Sequence, residues 1–205
     1  MSTDDRLGFT FLAEDGKDKY TPPVGDHGLR DTGNRMYSVD ASYTLSDAWK
    51  LSAYWSRGDR TTSAGHSTAY DAQLRDIADS LGFRVMGKPS ARLNVGADLT
   101  YLDDRMKYQQ NCDPLCSAAN AGLLALTGGL PDVTYRLLRL TLFGEYAIDK
   151  ASYLRLDLVH ERTRFNEWTY SYNGVPFFHN DNTTLSAKEN QNVTFIGGSY
   201  VIRFR

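Results

Sequence analysis

The stretch MYSVDASYTLSDAWKLSAYWSR, residues 36–57, alternates between apolar and polar side chains on both sides of a break at Ser46-Asp47. Successive side chains of an extended strand point to opposite faces, so Tyr37, Val39, Ala41, Tyr43 and Leu45 share one face and Ser38, Asp40, Ser42 and Thr44 the other. Beyond the break, Trp49, Leu51, Ala53 and Trp55 oppose Lys50, Ser52, Tyr54 and Ser56. The two runs predict an antiparallel hairpin with one apolar and one polar face.

The pattern recurs along the chain. RLGFTFLA places Leu7, Phe9 and Phe11 on one face; RLNVGADLTYL sets Leu93, Val95, Ala97, Leu99 and Tyr101 against Arg92, Asn94, Asp98 and Thr100. In TYRLLRLTLFGEYAI, Leu138, Leu140, Leu142 and Tyr146 oppose Arg139, Thr141 and Glu145. In YLRLDLVHERTRF, Leu154, Leu156 and Leu158 oppose Arg155, Asp157, Val159 and Glu161, and the closing run puts Ile196, Gly198, Tyr200, Ile202 and Phe204 together. YDAQLRDIADSLGFRVMG is the least regular member: its tail alternates, while its Ala, Leu and Arg content also suits a short helix. About eight strands result.

The connections alternate in length. Long ones are expected at about 14–32, 58–68, 110–132 and 169–189, and short turns at about 46–48, 87–90 and 148–151. The predicted fold class is all-β, an antiparallel up-and-down transmembrane barrel forming a single unit over residues 1–205. Such barrels have short periplasmic turns, long external loops, an apolar outer face and a polar lumen. A soluble sandwich alternates as well, but its apolar face lines a packed core and its loops need not sort by length.

Composition permits this reading. A mean hydropathy of -0.47 resembles a soluble chain, yet a barrel strand spans with only ~9–11 alternating residues. Thirteen Tyr, nine Phe and three Trp against six Pro favour strands. A net charge of -2 argues against a broad nucleic-acid-binding surface. The first residues, MSTDDRLGFT, lack a secretory signal, so an exported chain would have its signal elsewhere. On the barrel reading, Arg92, Asp98, Arg139, Glu145, Arg155 and Asp157 face the lumen. Leu138, Leu140, Leu142, Leu154, Leu156 and Leu158 face lipid. Tyr37, Tyr43, Trp49, Trp55, Tyr200 and Phe204 sit at strand ends, where rings favour the headgroup region.

DASYTLSDAWKLSAYW, SARLNVGADLTYLDDR, FGEYAIDKASYLRLDLVHERTRFNEW and the closing GGSYVIRFR resemble, over the whole chain, the C-terminal part of the MtrB/PioB family of decahaem-associated outer-membrane proteins. The resemblance implies a bacterial outer-membrane, porin-like barrel that sheathes or positions a periplasmic multihaem c-type cytochrome for electron transfer across the membrane. The haem would be carried by the cytochrome, and an extracellular cytochrome is a further implied partner. Because family members are longer, the resemblance implies a C-terminal piece or truncated product that starts at a periplasmic turn. One departure is at the end, where Phe204 is penultimate rather than terminal. About eight strands would enclose only side chains or one small ligand, so a sheath needs further strands or self-association. A small stand-alone outer-membrane barrel, acting as passive pore or surface-binding module, is the alternative, and a soluble sandwich the third.

No catalytic set stands out, and no enzyme is expected. Cys112 and Cys116, in NCDPLC, lack the adjacent His of a c-type haem site; a loop-stapling disulfide is favoured over metal binding or a reactive redox pair. His27, His66 and His179 read as loop histidines without ligand spacing, and His160 falls on the apolar face by parity. RGDR at Arg57–Arg60, Asp103-Asp104 and Asp4-Asp5 read as solvated charges. No metal site and no directly bound cofactor are expected.

Overall fold

The computed structural model describes residues 6–21, 28–65, 70–112, 116–127, 130–167, 171–172, 175–185 and 189–202. Seven long strands come first: β1 (Leu7–Lys19), β2 (Gly28–Ser46), β3 (Trp49–Gly65), β4 (Tyr70–Ser90), β5 (Leu93–Cys112), β6 (Val133–Ala147) and β7 (Ser152–Asn166). A helix, α1 (Ala118–Thr127), lies between β5 and β6. After β7 come three short strands, β8 (Ser171–Tyr172), β9 (Val175–Phe178) and β10 (Thr184–Leu185), and then the long β11 (Asn190–Ile202).

The eight long strands form one antiparallel sheet in the order β1-β2-β3-β4-β5-β6-β7-β11, and β8 to β10 form a separate small sheet. Each long strand pairs with its neighbour in sequence, β11 following β7 across the small sheet. The up-and-down topology is that of the barrel expected, but the sheet is open, with β1 and β11 as its two edges. Residues 70–90, where a helix competed, are strand throughout, because β4 pairs along its length with both β3 and β5.

Several strands run well past the alternating apolar residues. β1 continues to Lys19, β2 starts at Gly28 and β3 reaches Gly65, so the stretches 14–32 and 58–68 are mostly strand rather than loop. The reason is physical: backbone pairing continues where both faces have become polar, and there hydrophobic alternation no longer marks a strand. The connection 66–69 is therefore short, and the pronounced length difference is confined to 113–132 and 167–189. One turn also shifts. β4 runs to Ser90 through an irregularity between Gly87 and Ser90, placing the turn at 91–92.

The turns at the other end are locked locally. In the β6–β7 turn the Asp149 carboxylate accepts from the N–H groups of Ala151 and Ser152 at 2.7 and 2.8 Å and from the Ser152 hydroxyl at 2.8 Å. This is the side-chain mimic of a backbone turn that favours Asp at such positions. At the β2–β3 turn the Ala48 N–H donates to Ser46 Oγ, and the Lys88 N–H donates to the Ala48 carbonyl.

Candidate functional site: the two faces of the sheet

Paired residues share a face, so the register assigns every side chain in the sheet. Leu7, Tyr43, Leu51, Val85, Ala97, Leu142, Leu158 and Ile196 form one continuous row across all eight strands. Neighbouring rows hold Phe9, Phe83, Leu99 and Leu140, then Phe11, Trp55, Leu81, Tyr101 and Leu138. All six leucines expected on the apolar face lie on it. This face is the exposed one: Leu156 is 59% and Ile196 75% exposed, and Leu137, on the other face, is the buried hydrophobic among the described residues at 8%. A soluble sandwich would bury its apolar rows against a second sheet; among the described residues no such layer exists.

The apolar residues form a slanting band. On β2 they run from Leu45 up to Tyr37, whereas on β7 they run only from Leu154 to Leu158, beyond which His160 and Arg162 follow on the same face. A tilt of ~35–45° shifts a belt of constant height by about one residue per strand, which gives this slant. His160 lies at the upper edge of the band, its Nδ1 2.9 Å from Thr194 Oγ1. Trp49, Tyr146 and Tyr200 lie near the turns, and Tyr37, Trp55 and Tyr101 at the far edge. Tyr43 is one step inside the band on β2, and Phe204 falls outside the described residues.

The opposite face is polar and cross-linked. Arg155 is its hub: its guanidinium donates to Glu145 at 2.6 Å and to Asp157 at 2.7 and 2.8 Å, with its centre 4.7 Å from the middle of the Phe143 ring. Arg139 donates to Glu161 at 2.8 Å, and Arg84 to Asp98 at 2.7 Å, with Thr100 Oγ1 on the second Asp98 oxygen. Asp98, Arg139, Glu145, Arg155 and Asp157 thus share the polar face. Arg92 does not, because the β4–β5 turn takes it out of the strand; its carbonyl accepts from the Ala147 N–H instead. Arg84, absent from the predicted lumen set, is readable by parity with Phe83 and Val85. Phe143 is placed among these charges by the same parity, with Arg139, Thr141 and Glu145, although its apolar ring gives no hint of it.

Rings cover glycines across the strands, at Gly82 and Gly96 on the polar face and at Gly87 on the apolar one. A side chain at Gly82 would meet the Tyr54 ring, one at Gly96 the Phe143 ring, and one at Gly87 the Trp49 ring. Each aromatic faces its glycine in the register and covers it, the arrangement by which rings shield strand glycines.

Cys112, the last residue of β5, is disulfide-bonded to Cys116, just before α1. His27 and His66 fall outside the described residues. Among the described residues no group of three or more His, Cys, Asp or Glu side chains is placed to hold a metal ion. Among the described residues no helix is long and apolar enough to cross a membrane, a statement that leaves strands untouched.

Residues 1–204 match the model of a family described as outer membrane beta-barrel porin, MtrB/PioB. A search of curated proteins found no match. Among solved structures the chain is similar to the ferric yersiniabactin uptake receptor FyuA from Yersinia pestis, at 13% identity and a TM-score of 0.42, covering 96% of this chain and 32% of that one. The chain thus spans about a third of that receptor's length.

Proposed function

The chain belongs to the MtrB/PioB family of outer-membrane β-barrel porins, and on that premise we propose that it is wall rather than catalyst: a scaffold that sheathes or positions a periplasmic multihaem c-type cytochrome. Its place is the bacterial outer membrane. The observation that carries the proposal is the inward face, where arginine–carboxylate pairs are fixed on a sheet with free edges. An eight-stranded wall closed on itself would leave room only for side chains or one small ligand. With β1 and β11 unjoined, the same wall suits a wider enclosure. The haem belongs to the cytochrome in this reading, and the wall supplies an insulated, polar surface that keeps the electron carrier in register with the membrane. An extracellular cytochrome would complete the route outside.

Site-directed cross-linking tests the proposal. Arg139→Cys faces inward and Leu140→Cys outward, and the native cysteines are already bonded to each other. When the chain is expressed together with a periplasmic multihaem cytochrome, a haem-staining adduct is expected from Arg139→Cys and none from Leu140→Cys. Adducts from neither position, with the barrel folded, would sink the sheath reading. The passive-pore alternative would then be tested by conductance in planar bilayers.

A further inference from the structure

Above the apolar band the outward face does not end. It continues as rows of charge. Arg57 pairs with Asp79 and Arg136 with Asp103 directly above the aromatic edge. Higher still, the outer wall carries a groove of about 540 Å3 whose lining includes Lys17, Arg35, Arg75, Lys107, Asp15 and Asp59. Gly33 and Thr61 lie between the basic side chains, and a side chain at Gly33 would meet open space.

The charges in the groove are positioned rather than diffuse. Asp15 accepts from the Nε of Arg35 at 2.9 Å, and the Arg35 side chain is largely exposed. Asp59 holds Arg75 through two of its nitrogens. Lys107 has no ion-pair partner among the described residues, and Lys17 has only a long contact with Asp31 at 3.8 Å. At ~3.4 Å per residue and the usual tilt, these groups lie roughly 5 to 15 Å above the band, at headgroup depth and just beyond. The groove opens on the same face as the apolar band and continues from it.

We propose that this groove binds the phosphorylated sugar headgroup of a glycolipid in the outer leaflet. Guanidinium and ammonium groups at this spacing suit phosphate oxygens. The carboxylates repel a bare anion but accept from sugar hydroxyls, and the amides of Gln73 and Gln109, which also line it, can both donate to and accept from them. A phosphate carried on a sugar satisfies both sets. The inference rests on the outward face meeting lipid.

The test uses the full chain purified in mild detergent, with bis-phosphorylated lipid A as probe and its dephosphorylated form, phosphatidylglycerol and inorganic phosphate as comparisons, read by native mass spectrometry. Lipid A is expected to bind at least about tenfold tighter than its dephosphorylated form, as charge-assisted hydrogen bonds require. The triple variant Arg35→Gln, Arg75→Gln, Lys107→Gln should lose that preference, while Arg164→Gln, on the same face outside the groove, should keep it. Equal binding of the two lipid forms by the unaltered chain overturns the proposal even if the triple variant does not fold. Equal capture of phosphatidylglycerol, or displacement by millimolar phosphate, overturns the sugar and the lipid source respectively. A chain folded and dispersed without detergent would defeat lipid contact itself, whereas a detergent-bound chain indifferent to phosphorylation defeats only the groove.

Discussion

A single side chain can report which way a face looks. Leu156 lies in the apolar run of β7, flanked across the sheet by Gly144 and Gly198. Leu156→Arg should destabilise the folded chain in detergent or lipid by ~2–4 kcal/mol, as a charge near the bilayer midplane does. The same change at Thr163, on the inner face, should cost little. Denaturant titration in micelles measures both, and equal costs would contradict the outward assignment. On the inner face, Arg155→Met leaves the Glu145 and Asp157 carboxylates without their shared cation. Partial exposure of the cluster keeps the expected loss to about 1 kcal/mol. A double-mutant cycle with Glu145→Gln should return a coupling of similar size. Asp149 offers a pH signature, since the Ala151 N–H and the Ser152 hydroxyl hold its carboxyl below the usual carboxylate range. A depressed folded-state value means the turn's contribution is present above the ordinary pKa of about 3.9 and lost as pH falls through the depressed value. Asp149→Asn should flatten that part of the stability–pH curve.

At the level of the strand, the ring-over-glycine pairs make a sharper prediction than hydrophobicity does. Gly82→Val would drive a branched side chain into the Tyr54 ring, and the expected cost is about 1–3 kcal/mol. Gly33→Val, where the structure offers open space, should cost less. Thermal unfolding of the two variants settles the order. Strands are also where the sequence was most and least readable. Alternation located the apolar spans of β2, β3, β5, β6 and β7 and assigned Asp98, Arg139, Glu145, Arg155 and Asp157 to one face by counting alone. It failed where its premise failed. Arg57, Asp59, Arg35 and Asp15 put charge on the outward face, so a pattern built on apolar recurrence read the upper strands as loop. Helix α1 was also missed, although AANAGLLALT is rich in the strongest helix formers. Arg92 went astray because a bulge near Gly87 moved the turn by a few residues, and bulges leave no periodic trace.

For the molecule as a whole, the slanting band gives the tilt of the sheet: its upper edge steps down from Tyr37 on β2 to Trp55 on β3, runs level through Leu81, Tyr101 and Leu138, and steps down again to Leu158 on β7. The open edges have another consequence, concerning how such a wall is made. Every pairing in the large sheet joins long strands that follow one another along the chain, and only β5 with β6 and β7 with β11 reach across long connections. Loop closure therefore costs little at each step, and local connectivity of this kind favours fast assembly. The wall can grow as a row of hairpins, each added strand presenting the template for the next. The slow event is left to the last seam, where β1 or β11 must find a strand that its own neighbours cannot supply.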